Sequence, residues 1–169
     1  CASVLNGGKD WYFYSKNNCS SVQSLIENVE CNYFIHISTC SIFSKESKYH
    51  SQPSPDSLYG LSKYVGEKIV EFNFRKFVSS LIIRYPIVIG KLKKSNDVIS
   101  YMYREAKKNH VIELFGEGEY FRNIIHVSEA VSSIIAAIET QNLEGLFKIN
   151  VGSLNSLKLI DFCKIIIDK

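Results

Sequence analysis

Tyr59-Gly60-Leu61-Ser62-Lys63 sets a phenol and an ammonium four residues apart. On a helix that spacing puts both groups on one face, about one turn apart. An ammonium beside a phenol favours the phenolate and draws its pKa down from about 10, which would make Tyr59 a general acid/base near neutral pH. The spacing alone selects nothing. The chain has 10 tyrosines, and Tyr12/Lys16, Tyr64/Lys68 and Tyr103/Lys107 repeat the pattern, where chance gives roughly one match. Position decides among the four. Tyr59 stands at the start of a long helical stretch, with the hydroxyl pair Ser38-Thr39 upstream at the end of a β-rich run. The other reactive side chains read as structural. Cys40 reads as a small half-buried thiol, His36 as a mid-strand residue with its nitrogens satisfied, and His126 as a structural residue.

The elements that must position these groups alternate between two periods. Tyr33–Ser38, Ser80–Arg84, Val111–Phe115, Asn123–His126 and Leu146–Val151 read as strands. Asn18–Val29, Asp56–Phe77, Asp97–Lys108, Val127–Glu139 and Ser156–Ile167 read as helices. In Asp56–Phe77 the expected buried stripe is Leu58, Leu61, Val65, Ile69, Phe72 and Phe77. Trp11 and Tyr12-Phe13-Tyr14 read as loop packing, and Lys45–Pro55 as a polar loop. Strand–helix alternation predicts an α/β fold with a mostly parallel sheet, whose ligands lie at the carboxyl ends of the strands. That directs attention to Ser38-Thr39-Cys40-Ser41 and to Tyr85-Pro86-Ile87.

Composition narrows the function classes. Of 169 residues, 46% are hydrophobic and 22% charged, which excludes disordered, collagen-like and coiled-coil chains. No apolar run approaches the roughly 20 residues that span a membrane. A net charge of +3, with Lys91–Lys94 as its densest run, is too weak to argue for nucleic acid. The five cysteines, at 1, 19, 31, 40 and 163, form no CxxC pair, so no metal site and a reducing, cytoplasmic setting are expected.

Five segments in order resemble the extended short-chain dehydrogenase/reductase family, the NAD-dependent sugar-nucleotide epimerases and dehydratases. They are Phe34–Phe43, Ser57–Glu67 with its Tyr-Gly-x-Ser-Lys-x-x-x-Glu pattern, Ile83–Gly90, Leu114–Val127 and Leu146–Gly152. The resemblance implies a Rossmann-like parallel sheet whose first strands and Gly-rich turn lie upstream of Cys1. Part of a smaller substrate-binding lobe is expected at about 86–126 and 146–169. It implies Tyr59 as acid/base, Lys63 on the nicotinamide ribose and Thr39 on the sugar hydroxyl. It puts Ala2, Ser3, Asn17, Asn18, Ser38, Tyr85 and Pro86 near the cofactor. Thr39, Cys40, Ser41, Ile87 and Arg122 fall near the substrate, with Arg122 on the diphosphate. The cofactor implied is NAD, with NADP left open. The partners are a nucleotide-diphosphate sugar and a second copy, in a homodimer formed through the Tyr59 helix.

Departures from the pattern bear on reaction type. Family dehydratases follow the Ser/Thr with an acidic pair; here Cys40 and Ser41 stand there, so 4-epimerisation through a keto intermediate is favoured over dehydration. Ile87 replaces an Asn of many epimerases, which keeps a nucleotide-sugar ketoreductase as an alternative. Asn123 replaces the usual Asp beside Arg122. The chain starts at Cys1 and ends at Lys169 within a helical stretch. Either a longer parent enzyme or a non-catalytic remnant without the pyrophosphate turn is therefore expected.

Overall fold

The computed structural model describes residues 10–44, 52–90, 98–114, 116–140, 144–154 and 156–168. The chain forms two compact units. The first comprises Cys1–Tyr85 and Ala136–Val151, the second Pro86–Ile135 and Gly152–Lys169. Among the described residues, no helix is long and apolar enough to cross a membrane.

The first unit is built on a parallel sheet in the order β1 (Tyr33–Thr39), β2 (Ser79–Tyr85) and β6 (Gly145–Asn150). Central β2 is buried at six of its seven positions, which is why Leu81-Ile82-Ile83 reads as a continuous apolar run rather than an alternating one. Parallel neighbours need a crossover, and α3 (Leu58–Asn73) supplies it between β1 and β2. Ser57 caps α3 by accepting from the Gly60 amide at 3.1 Å. The core under the sheet is Val22, Ile26, Val70, Phe77 and Ile82, with Phe34 stacked on Phe77 at 4.9 Å between ring centroids. Residues 146–151, expected in the substrate lobe, belong instead to this sheet and its end, because Leu146–Asn150 pairs with Ser80–Arg84.

Helix α3 departs from its expected stripe. Leu58, Leu61 and Phe72 are exposed, and Gly60, Ser62, Lys63, Gly66, Glu67 and Val70 are buried. A small, polar face lies inward because the helix comes very close to its neighbours. A Cβ on Gly60 would stand 2.2 Å from the Ser41 carbonyl oxygen. The N-terminal aromatics are also not loop. Asp10 accepts from the Phe13 amide at 2.9 Å and starts α1 (Trp11–Ser15). A wide π turn over Lys16–Ser20 buries Asn18 and Cys19 before α2 (Ser21–Asn28).

In the second unit β3 (Ile87–Ile89) pairs in parallel with β5 (Ile124–His126), and β4 (Phe121–Arg122) pairs antiparallel with β7 (Leu157–Lys158). Helices α4 (Val98–Asn109) and α6 (Leu159–Ile167) pack together, with Cys163 Sγ 3.9 Å from Met102 Sδ. Helix α5 (Val127–Glu139) starts where Glu129 accepts from the His126 amide. Val111–Leu114, expected as a strand, has no ladder partner and no regular structure; residue 115 lies outside the described residues.

The close approach at Gly60 makes a checkable statement. Gly60→Ala forces a methyl into backbone and is expected to cost about 3 kcal/mol. Leu61→Ala, on the outward side, is expected to cost under about 1 kcal/mol. Urea unfolding of both variants measures the contrast, and equal costs would contradict this packing.

Candidate active site

Three elements bring the sequence-selected groups of the first unit together. Strand β1 ends at Ser38-Thr39, a tight 3₁₀ turn carries Cys40–Ile42, and α3 carries Tyr59 and Lys63 on the side facing them. Thr39 is buried. Its Oγ1 accepts from the Ser41 amide at 3.1 Å, which caps the turn, and pairs with Ser41 Oγ at 3.2 Å. The same threonine hydroxyl acts on the Tyr59 phenol and favours its ionised form. The Tyr14 ring lies 6.3 Å from the Tyr59 ring.

The pKa of Tyr59 departs from the sequence expectation. Burial raises it above the ordinary phenol value, Thr39 offsets this in part, and Tyr14 adds to the rise. Lys63 is not among the groups acting on it. The Lys63 ammonium is turned to the Ile37 carbonyl oxygen, at 2.7 Å. Burial draws Lys63 down to about 8, against the opposing pull of Glu67 and Cys19. At neutral pH Tyr59 therefore rests as a neutral phenol, poised to donate a proton.

Asn17 and Asn18 have separate placements. Asn17 Nδ2 donates to the Phe13 carbonyl at 2.8 Å, within its own helical stretch. Asn18 is buried, and its Nδ2 donates to Ser62 Oγ at 2.9 Å, joining the π turn to α3. Ser38 is buried and donates to Glu67 rather than into open space. Tyr85, also buried, closes β2 opposite Thr39. Cys40 Sγ lies 3.9 Å from the Arg84 carbonyl oxygen, and burial pushes its thiol up to about 11. It is not a thiolate at neutral pH. Ser41 is exposed.

Pro86, Ile87 and Arg122 belong to the second unit. The Ile87 amide donates to the Asn123 carbonyl at 3.4 Å. Arg122 is half-exposed, with its guanidinium 6.0 Å from the Tyr120 ring centroid. Asn123 clasps the turn after β6, accepting from the Ser153 amide at 2.9 Å and donating to the Ser153 carbonyl at 2.8 Å. Ala2 and Ser3 lie outside the described residues.

Two residues at the site carried no assignment from sequence. Glu67 is fully buried between Ser38 and Arg84; its signal was a carboxylate one turn after Lys63 on the helix. His36 was expected to have satisfied nitrogens. Its Nε2 is instead buried with no hydrogen-bond partner among the described residues. Gly66 lets the imidazole lie against α3, where a Cβ would come within 3.3 Å of that nitrogen.

Comparisons with known proteins bear on the family and the fold. The model of the NAD dependent epimerase/dehydratase family matches residues 6–152. The uncharacterized UDP-glucose epimerase YtcB of Bacillus subtilis strain 168 is 23% identical over 168 residues, 95% of this chain and 53% of that protein. The solved UDP-glucuronic acid 4-epimerase of Bacillus cereus, in complex with UDP-glucuronic acid and NAD, is 25% identical. It superposes with a TM-score of 0.89 over 99% of this chain and 57% of its own length. The UDP-N-acetylglucosamine 4-epimerase of Bacillus cereus, at 22% identity and a TM-score of 0.81 over 99% of this chain and 60% of that one, shares the fold. The chain thus spans a little over half the length of these proteins.

The buried His36 predicts an acid dependence. Burial first, and the Lys63 charge second, hold its pKa down at about 3, against an ordinary 6.5. Between those values the unfolded chain binds the proton and the folded chain does not, so stability falls as pH drops through the window. For this group alone the loss at pH 4.5 is about 2–3 kcal/mol. The stability difference between pH 7 and pH 4.5 is expected to shrink by that amount in His36→Gln, measured by urea unfolding. An unchanged difference would show that His36 does not carry it.

Proposed function

We propose, for a chain that belongs to the NAD dependent epimerase/dehydratase family, that it carries the acid/base side of a nucleotide-sugar 4-epimerase site. The substrate class is a nucleotide-diphosphate sugar and the cofactor is NAD. The observation that carries the reading is the half-buried Tyr59 phenol acted on by the buried Thr39 hydroxyl, one helical turn from a buried Lys63 ammonium.

Lys63 fits such a cofactor. It is 4% exposed, and among the described residues its ammonium uses one of three donors, on Ile37. The remaining donors suit the paired hydroxyls of a ribose. Asn17, Asn18, Ser38, Tyr85 and Pro86 are the further cofactor-side residues of this reading, with Ser38 acting through Glu67 rather than by its own hydroxyl. The cofactor's chemistry is to accept a hydride from the sugar carbon and return it. Thr39 Oγ1 orients the sugar 4-hydroxyl beside Tyr59 Oη. Tyr59 rests as the phenol, so it would act as base only once the positive charge of a bound oxidised cofactor favours its phenolate; its Oη would then take that hydroxyl's proton while a keto group forms at the sugar carbon. As a phenol it gives the proton back to the keto oxygen. One group serves both directions, as epimerisation requires. Cys40, with its thiol at about 11, and Ser41 supply no acid suited to dehydration at neutral pH.

Arg122 is the diphosphate ligand of this reading, a task suited to guanidinium, with Ile87 beside the sugar. The exposed Leu58, Leu61 and Phe72 of α3 support a homodimer through that helix. The free thiols of Cys19, Cys31, Cys40 and Cys163 fit a cytoplasmic setting.

The test uses the full-length protein and UDP-glucose. Tyr59→Phe is expected to lower kcat by about 10²–10⁴-fold, and Thr39→Val by about 10-fold or more. Undiminished turnover in Tyr59→Phe would overturn the assignment. NADH consumed one for one with sugar would identify a ketoreductase instead.

A further inference from the structure

Ser38 and Arg84 stand opposite each other in the register of β1 and β2, one residue before the strands end at Thr39 and Tyr85. Their side chains meet on one carboxylate. Glu67 Oε1 accepts from Ser38 Oγ at 2.5 Å and from Arg84 Nε at 3.0 Å, and Oε2 accepts from Arg84 Nη2 at 2.7 Å. Glu67 is 0% exposed. Two parallel bonds to a guanidinium fix orientation as well as distance. Glu67 also follows Tyr59 and Lys63 by two turns and one turn of α3, so the three side chains share a helix face.

We propose that Glu67 is a positioning residue for the Tyr59 chemistry: its carboxylate, clamped between Ser38 and Arg84, fixes the phase at which α3 presents Tyr59 and Lys63 to Thr39. This inference rests on the 4-epimerase reading of the site. The clamp ties the helix to both strands at the level where the reacting groups emerge, so a slip of α3 would carry Tyr59 away from Thr39.

The Glu67 charge has a second effect, on Lys63. The titratable groups facing Lys63 are Glu67 on its own helix, Cys19 from the π turn and His36 from β1. Those facing Glu67 are Lys63, Arg84 from β2 and Cys40 from the 3₁₀ turn. Glu67 is the main group opposing burial and holding Lys63 up to about 8. Removing the charge lowers that value, so the Lys63 ammonium, and the activity that depends on it, is lost at a lower pH.

The deciding experiment compares Glu67→Gln with the double variant Glu67→Gln/Arg84→Met in the full-length protein. The double variant removes the uncompensated guanidinium and guards against misfolding. UDP-glucose turnover gives kcat, KM and the pH profile, and NMR of labelled lysine side chains follows Lys63 without activity. The folded double variant is expected to lose about 10²-fold in kcat with KM within about 3-fold. The alkaline limb of kcat/KM and the Lys63 titration both move to lower pH. A double variant with wild-type kcat and an unmoved Lys63 titration overturns the proposal. If Tyr59→Phe keeps full turnover, the 4-epimerase reading fails by itself. The Lys63 titration then still decides whether Glu67 governs the ammonium.

Discussion

The site depends on how closely α3 lies on the carboxyl end of β1. Two glycines permit it. At Gly60 the Ser41 carbonyl occupies the space of a side chain, and at Gly66 the Asn18 carbonyl and His36 do so. A side chain at Gly60 would push the helix off and move Tyr59 relative to Thr39, whereas at Gly66 a Cβ would stand 3.0 Å from the Asn18 carbonyl oxygen and its neighbours would have to give by a few tenths of an ångström. The remaining features follow from this approach. A helix packed so tightly cannot use large apolar residues inward, so its buried face is Ser62 and Lys63 between the glycines and Glu67 just after them, with Val70 at the far end. The large apolar residues Leu58, Leu61 and Phe72 turn outward.

A buried face of that composition must satisfy its own polar groups. Ser62 accepts from Asn18, and Lys63 donates to Ile37. Glu67 takes Ser38 and a fork from Arg84. Together these bonds link α3 to three neighbours: the π turn, β1 and β2. The π turn has its own place here, since its wide winding puts Asn18 and Cys19 inward together. The Glu67–Arg84 pair at 2.7 Å is nearly dry, with side chains 0% and 11% exposed. Such a pair adds little net stability, but losing one partner costs about 3–5 kcal/mol. Its use is to specify one arrangement. His36 Nε2 stands outside this pairing, and the imidazole stays neutral first because it is buried and second because protonation would add a cation beside Lys63.

The parallel sheet, α5 and the Tyr59–Lys63–Thr39 grouping were legible in the sequence, because each rests on a local period or a short motif. The inward face of α3 was not. Periodicity favours the apolar residues as the buried ones, and at Leu58, Leu61 and Phe72 that preference gives the wrong side. Only a long-range fact, the carbonyl of Ser41 at Gly60, reverses it. The raised pKa of Tyr59 is invisible to spacing for a related reason. Spacing reports that a cation is one turn away, but not that its protons point to Ile37. Helix α1 was missed because its cap, Asp10 on Phe13, lies beside an aromatic cluster with no helical stripe. Val111–Leu114 shows the opposite error, β-prone residues with no strand to pair with.

Asn123 shows how a departure from a family pattern can be read in two ways. Beside Arg122 it is a lost negative charge. In the structure it is a gained amide. Its Oδ1 accepts from the Ser153 amide while its Nδ2 donates to the Ser153 carbonyl and to Ser156 Oγ. A carboxylate could serve the first of these bonds but would face a carbonyl oxygen in the second, since it has no proton to give. The turn after β6 therefore requires a residue that donates and accepts at once. The guanidinium of Arg122, with the Tyr120 ring at 6.0 Å and the Phe121 carbonyl at 3.4 Å, is left without an anionic neighbour on Asn123. The substitution that looks like a loss in the sequence thus suits both the backbone clasp it makes and the diphosphate role proposed for the residue before it.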